Sequence, residues 1–494
     1  MRVETMRSMP RTLLPRRLLI LPALTILAGS LTLGSSSAGT AAAAGTPVFR
    51  QYHGPSSPKD VQGRATGTDL AGDPSLGYDP TTDQVLFMAN TSTWRVGGFG
   101  ASNDQASWTD ITEPVEGAQT TGSVEGAQTT DAMLWRDPVT GRTFINQLMP
   151  QGGSLQAYTD DNGKTYTRST LGSGIGLSFG HQSVTTGRPA AGQNLLPQPI
   201  GYPNYVYYCT NDVYAADCSV SIDGGRNFLL QTPVYAGNAA LGVCSPLFGH
   251  IQTDPRSGTL YLAPDGCSGT QMLFASEDNT LHWTGHTLPG STDGDSGHPS
   301  VAVGRQDGAV YYAWGSADGY RQKTGRTHVA VSLTHGKSWT LPLALGGDLG
   351  VVTSRFPVVV AGDAGRAAVA FLGSKAPGDP HVAPDVLSPR DVPYAGTWNL
   401  YVSFTVDGGR TWKTYNATPS DPIQRGPICA DASNCLGGNN LRDFNGMVLD
   451  RNGRVVIALA DGALSKTDTF ARGLAKATIV RQIGGPSLYG PPAR

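Results

Sequence analysis

The chain has 494 residues, of which 64 are Gly and 34 are Pro, with only 15% charged and a formal charge of −2. That much Gly and Pro excludes a mainly helical protein, because both residues oppose helix interiors, and a near-neutral balance excludes a broad nucleic-acid surface, which needs a basic excess. With 39% apolar residues and 13 Phe, 8 Trp and 18 Tyr there is still material for a core, so dense turns between short apolar runs predict an all-β protein rather than disorder.

At the N-terminus, Arg11, Arg16 and Arg17 precede an apolar run from Leu18 to about Leu33, and small residues follow to Ala44. This order predicts a secretory signal over residues 1–44, and the Arg16-Arg17 pair adds the option of export in a folded state. A retained membrane anchor is the alternative, against which Pro22 and Gly29 interrupt the apolar stretch. Loss of five Arg and one Glu with this segment would leave a net charge of about −6. No later segment approaches membrane-spanning length, and an extracellular protein is expected. Six Cys in an exported chain predict three disulfides. Proximity favours Cys209–Cys218, Cys244–Cys267 and Cys429–Cys435, although six Cys allow about fifteen pairings.

Residues 45–494 read as one repetitive domain. A strand, a polar turn and a strand richer in aromatics recur seven times, as in Asp73-Pro-Ser-Leu-Gly-Tyr-Asp79 before Val85–Met88 and His298-Pro-Ser-Val-Ala-Val-Gly304 before Val310–Trp314. Each copy but the last leads to a polar turn and an aromatic residue at constant spacing: Ala101 to Trp108, Thr159 to Tyr166, Ser221 to Phe228, Ser276 to Trp283, Ser332 to Trp339 and Thr405 to Trp412. In the fullest copies, Ser221-Ile-Asp-Gly-Gly-Arg-Asn-Phe228 and Thr405-Val-Asp-Gly-Gly-Arg-Thr-Trp412, Asp and Gly make a tight turn between two strands, hydroxyls bond locally and the ring packs beneath. Seven units of about 60 residues with about four strands each predict a single seven-bladed β-propeller, with six blades as the runner-up. Residues 47–52 or the C-terminal tail could close the ring on a terminal blade.

These turns resemble the Asp box, Ser-x-Asp-x-Gly-x-Thr-Trp, of the bacterial neuraminidase repeat, and the resemblance to sialidase-like propellers covers nearly all of residues 45–494. It implies a propeller with its boxes on outer turns, opposite a ligand-binding face, and an activity on glycans. The chain departs from that pattern where sialidases open their first blade with Arg-x-Pro: here the position reads Gly72-Asp73-Pro74, and Arg355-Phe356-Pro357 lies in the sixth repeat.

The first residue of each channel-lining strand, counted back from the hairpin turn, is Asp73, Asp131, His181, Phe248, His298, Phe356 and Phe444, with His250 and Asp443 close by. Three uses compete for this ring: a hydrated channel lining, a divalent metal (Ca, Zn or Mn) on His181, His250, His298 and Asp443, or acid–base chemistry. Arg64, Arg355 and Arg442 are candidates to grip a substrate carboxylate, as paired guanidinium hydrogen bonds do and as the arginine triad of sialidases does for its sugar acid. Long loops at 112–130, where Val-Glu-Gly-Ala-Gln-Thr-Thr is duplicated, and at 375–397 and 418–441 suit a covered binding face.

The expectation is therefore a monomeric, secreted, sialidase-like glycoside hydrolase acting on an acidic polysaccharide or glycoconjugate, with Asp73 or Asp131 as acid or base. A polysaccharide lyase using His181 or His298 as base is one alternative, and a non-catalytic glycan- or protein-binding propeller is the other.

Overall fold

The computed structural model describes residues 45–59, 66–90, 92–113, 132–148, 154–169, 180–190, 195–211, 215–229, 231–236, 244–292, 298–316, 325–380, 393–428, 441–463 and 475–490. Residues 1–44, expected as a signal peptide, and Arg64, Asp131, Cys429 and Cys435 lie outside these residues. Among the described residues the regular structure is antiparallel strand, interrupted only by two single-turn 3-10 helices, and no helix is long and apolar enough to cross a membrane.

The strands form seven sheets, the blades of a seven-bladed β-propeller. In six of them four consecutive strands run from the channel outwards, the innermost being Ser75–Asp79, Met133–Arg136, Gly180–Gly187, Gln252–Thr253, Ser300–Val303 and Thr353–Ala361 in blades 1 to 6. Blade 7 takes three strands from the C-terminal end, starting with Gly446–Leu449, and its outermost from the N-terminus: Val48–His53 pairs antiparallel with Lys476–Gly484. The first of the two candidate closures, residues 47–52, is the one that forms, and six blades give way to seven.

Stacking decides which residues the strands can use. A central strand is covered on both faces by neighbouring blades, so it reads as a continuous apolar run instead of an alternation. Val310–Trp314 shows this directly: Val310, Tyr312 and Trp314 pack against blade 4, while Tyr311 and Ala313 pack against blade 6. Seven buried apolar clusters occupy the seven blade-to-blade seams, the closing one joining Tyr52, Val456 and Ile479 to Leu76, Val85 and Phe87. Near the channel, where strands of adjacent blades converge, serine replaces packing. Ser75, Ser183 and Ser300 accept the backbone N–H of Leu134, Ile251 and Val359 across alternate seams, at 2.8, 2.9 and 3.1 Å. Each stands two residues beyond a polar ring residue: Asp73, His181 and His298.

The outer turns share one hydrogen-bond pattern. In blade 3, Ser221 Oγ donates to Asp223 Oδ1 and accepts from Gly225 N, while Asp223 takes the N–H of Arg226 and Asn227 and the side-chain amide of Asn227. The turns at Thr159, Ser276 and Thr405 repeat it around Asp161, Asp278 and Asp407. The turn also reaches the preceding blade. Gly225 has φ +88° and a Cβ there would lie 2.6 Å from Cε1 of Phe144 in blade 2. Gly225→Ala is therefore expected to cost about 1–3 kcal/mol, by left-handed strain plus overpacking, read as a lower midpoint in urea unfolding; an unchanged midpoint would show that the seam does not use this contact.

Two disulfides form as expected. Cys209–Cys218 links adjacent strands of blade 3, and Cys244–Cys267 links the segment entering blade 4 to that blade's second hairpin. No described cysteine is free.

Candidate active site

The inner strands bring the ring residues together at one end of the channel, and the backbone bends to aim them. Asp73, His181 and Phe356 occupy the same repeat position and all have positive φ, +53°, +50° and +53°. For residues with a Cβ this costs about 1 kcal/mol each. In blades 3 and 6 the strand register slips here, between Gly180 and Ser183 and between Arg355 and Val358. Such a bulge turns a side chain that would alternate along the strand towards the mouth, and strain of this kind concentrates where function holds it in place.

Phe444 is the hub. His250 stacks on it at 4.6 Å between ring centroids, with His298 at 4.7 Å and His181 edge-on at 5.5 Å. His181 and His298 meet at 4.0 Å in a T-shaped pair, and Phe248 stands behind His181 at 6.3 Å. Gly249, between Phe248 and His250, lies so close to blade 5 that a Cβ would be 1.7 Å from the Pro299 carbonyl oxygen. That closeness of blades 4 and 5 is what brings His250 and His298 to the same phenyl ring.

Two of the imidazoles are oriented by different partners. His181 Nδ1 lies 3.1 Å from the Phe248 carbonyl oxygen. Because a carbonyl only accepts, Nδ1 carries the proton and Nε2 the lone pair of neutral His181. His298 Nδ1 lies 2.6 Å from Asp265 Oδ1. Burial works against charge on His298, but the Asp265 carboxylate, with added fields from Asp443 and Asp73, overcomes it and holds the imidazole up to about 9. His250 has no such carboxylate. Burial, with the neighbouring imidazoles of His181 and His298, pushes it down to about 4, so it is neutral at ordinary pH. One mouth thus holds a charged, a neutral and a tautomer-fixed imidazole side by side.

Of the acidic ring members, Asp73 is engaged. Asp73 Oδ1 accepts the backbone N–H of Asp443 at 2.7 Å and of Phe444 at 3.3 Å, tying blade 1 to the start of blade 7. Arg442 lies across the same seam: a Cβ on Gly72 would fall 2.3 Å from its Cγ. Arg355 is buried, at 3% exposure like Asp73, and lies in the electrostatic neighbourhood of Tyr394. Among the described residues no three His, Cys, Asp or Glu gather as metal ligands; the His181 and His298 Nδ1 atoms point to Phe248 and Asp265 instead. An imidazole beside an imidazolium is an arrangement that can serve acid–base chemistry.

Asp265 is the candidate residue that the repeat count misses, because it sits on a loop and not on an inner strand. The signal was Cys267, two residues on. The Cys244–Cys267 bridge and the bonds from Asp265 N to Leu247 O, Ser245 N to Gly266 O and Gly249 N to Ala263 O clamp the loop beside Phe248, one blade from His298.

No protein-family model matches the chain, and no curated protein is similar to it in sequence. Among solved structures it is similar to the NanB sialidase from Streptococcus pneumoniae, at 10% identity over 83% of each chain with a TM-score of 0.41. It is also similar to an α-L-arabinanase from Penicillium chrysogenum, at 13% identity over 72% of this chain and 93% of that one, TM-score 0.41. An α-L-arabinofuranosidase from Fusarium graminearum aligns at 12% identity over 73% and 94%, TM-score 0.43. The functional argument rests on the mouth itself.

Proposed function

We propose that the mouth is a histidine acid–base site of a secreted glycan-active enzyme, cleaving a uronic-acid polysaccharide by β-elimination. The observation that carries this reading is the T-shaped pair at 4.0 Å, in which His181 keeps its Nε2 lone pair and His298 is held protonated by Asp265. In the step, His181 Nε2 takes the proton next to the uronate carboxylate, the C4–C5 double bond forms, the C4–O bond breaks, and His298 gives its proton to the leaving oxygen. Charge that develops on the carboxylate is met by the His298 imidazolium and Arg442. The Asp-box resemblance supports a glycan as substrate, and the requirement for an acidified C–H makes that glycan a uronate.

A carboxylate-driven hydrolysis draws less support. Asp73 spends one oxygen on two backbone N–H groups, and a retaining or inverting pair needs a second carboxylate facing it across the bond. The test is incubation of the protein with uronate polymers, sialosides and neutral arabinans, following reducing ends and the absorbance of unsaturated uronate together. Elimination predicts both signals on a uronate polymer. Reducing ends without unsaturation would replace it with hydrolysis, and binding without product would leave a recognition propeller.

A further inference from the structure

The N-terminal strand Val48–His53 is the closing element of the ring, and its last residue ties it down. His53 Nδ1 lies 2.7 Å from Asp104 Oδ1, on the outer turn of blade 1, and Asp104 Oδ1 also accepts the His53 backbone N–H at 3.0 Å. On the other side, His53 Nε2 lies 3.4 Å from Asp461 Oδ2, at the end of the second strand of blade 7, and 3.8 Å from Asp421 Oδ2, on the segment between blades 6 and 7. One imidazole is thus set between carboxylates from three stretches of chain that are remote in sequence. Asp461 is almost wholly buried, at 2% side-chain exposure, whereas Asp104 and Asp421 are open at 60% and 42%.

The turn of blade 1 differs from its counterparts. In blades 2, 3, 4 and 6 its third residue is Asp161, Asp223, Asp278 or Asp407, whose carboxylate is spent on the turn's own backbone, whereas blade 1 has Asn103 there, which accepts Gln51 N at 3.3 Å, and Asp104 follows it. In blade 1 the Asp104 carboxylate reaches His53 of the closing strand, and Asp104 N donates to Gln51 O at 3.0 Å.

We propose that His53 is a proton-operated latch on ring closure: as the imidazolium it clasps the N-terminal strand between blade 1 and blade 7, and as neutral imidazole it holds one side only. A neutral ring has one N–H, so it cannot donate to Asp104 and Asp461 at once; the protonated ring donates from both nitrogens. Other charges nearby are already paired or turned away. Lys476, opposite Asp461 in strand register, bridges to Asp69. Arg50 donates to the Gly100 carbonyl, and Arg481 is held by Asp83 and Asp450.

The direction of the pH effect follows. Burial opposes charge on His53, but Asp461 and Asp104 together raise it from 6.5 to about 9. A raised histidine contributes stability that is complete below its unfolded value and lost as pH rises through the folded one, here between about 6.5 and 9. Burial raises the pKa of Asp461 itself, and the hydrogen bond and charge of His53 oppose that rise.

The test is hydrogen exchange of the whole chain at pH about 6.5 and about 9.5, corrected for intrinsic rates, comparing Val48–His53 with the central strand Ala367–Ser374 of blade 6 as internal reference. The wild type should lose about tenfold or more protection in the N-terminal strand relative to the reference at the higher pH. In His53→Gln the pH dependence should vanish. Asp104→Asn, on an exposed turn that has no need of its charge to fold, should move the loss to lower pH. Equal protection ratios at both pH values, the same loss in His53→Gln, or an unmoved loss in Asp104→Asn would each overturn the latch.

Discussion

His181→Asn is expected to lower kcat by about 10²–10⁴-fold, the usual worth of a general base, with unfolding midpoint and substrate affinity close to wild type. The separation of activity from stability comes from the backbone. His181 sits at φ +50°, a region that Asn tolerates better than other residues with a Cβ. An Asn amide can also replace Nδ1–H as donor to the Phe248 carbonyl, which His181 engages at 3.1 Å. What Asn cannot supply is the basic Nε2 lone pair beside His298. His181→Gly makes the complementary variant, since it relieves the left-handed strain while removing ring contacts with His298, Phe248 and Phe444. Steady-state kinetics and urea unfolding on the same samples decide the matter. Retained turnover in His181→Asn would remove His181 as the base, and a stability loss as large as a core truncation would make it a packing residue.

The repeat made the architecture legible, and the ring with it. Counting from the hairpin turn located Asp73, His181, Phe248, His298, Phe356 and Phe444 because every blade uses the same strand start, and the period transmits that position from blade to blade. What the period cannot transmit is contact between blades. The glycine of the outer turn reads as a turn former, yet Gly225 also meets Phe144 of the preceding blade. Asp265 and the His53 cluster are harder still. Each depends on a loop or a chain end meeting a distant strand, and neither belongs to a repeated position. A disulfide was the only local mark of the first, and the second carried none.

Asp265→Asn is expected to act through pH rather than by a uniform loss. Elimination needs His298 protonated as the acid, and Asp265 is the largest influence holding it up to about 9 against burial. The wild-type rate should therefore be level through neutrality and fall as pH rises through about 9. With Asn in place of Asp265 the charge and its charge-assisted hydrogen bond are gone, burial acts with less opposition, and only Asp443 and Asp73 still favour the imidazolium. The alkaline limb should move down by about two pH units, towards the ordinary histidine value near 6.5. Turnover at pH about 8 should then fall by about 10–100-fold and return towards wild type at pH about 6, with KM for the uronate much less changed. A structural role for Asp265 would instead depress turnover in the same proportion at every pH, since the loop is anchored independently by Cys244–Cys267 and by the bond from Asp265 N to Leu247 O. Reduction of that disulfide provides the converse test. It leaves the carboxylate in place but loosens the loop that aims it, so the alkaline limb should broaden and shift downwards in the wild type while Asp265→Asn, which has no charge left to misplace, keeps its profile.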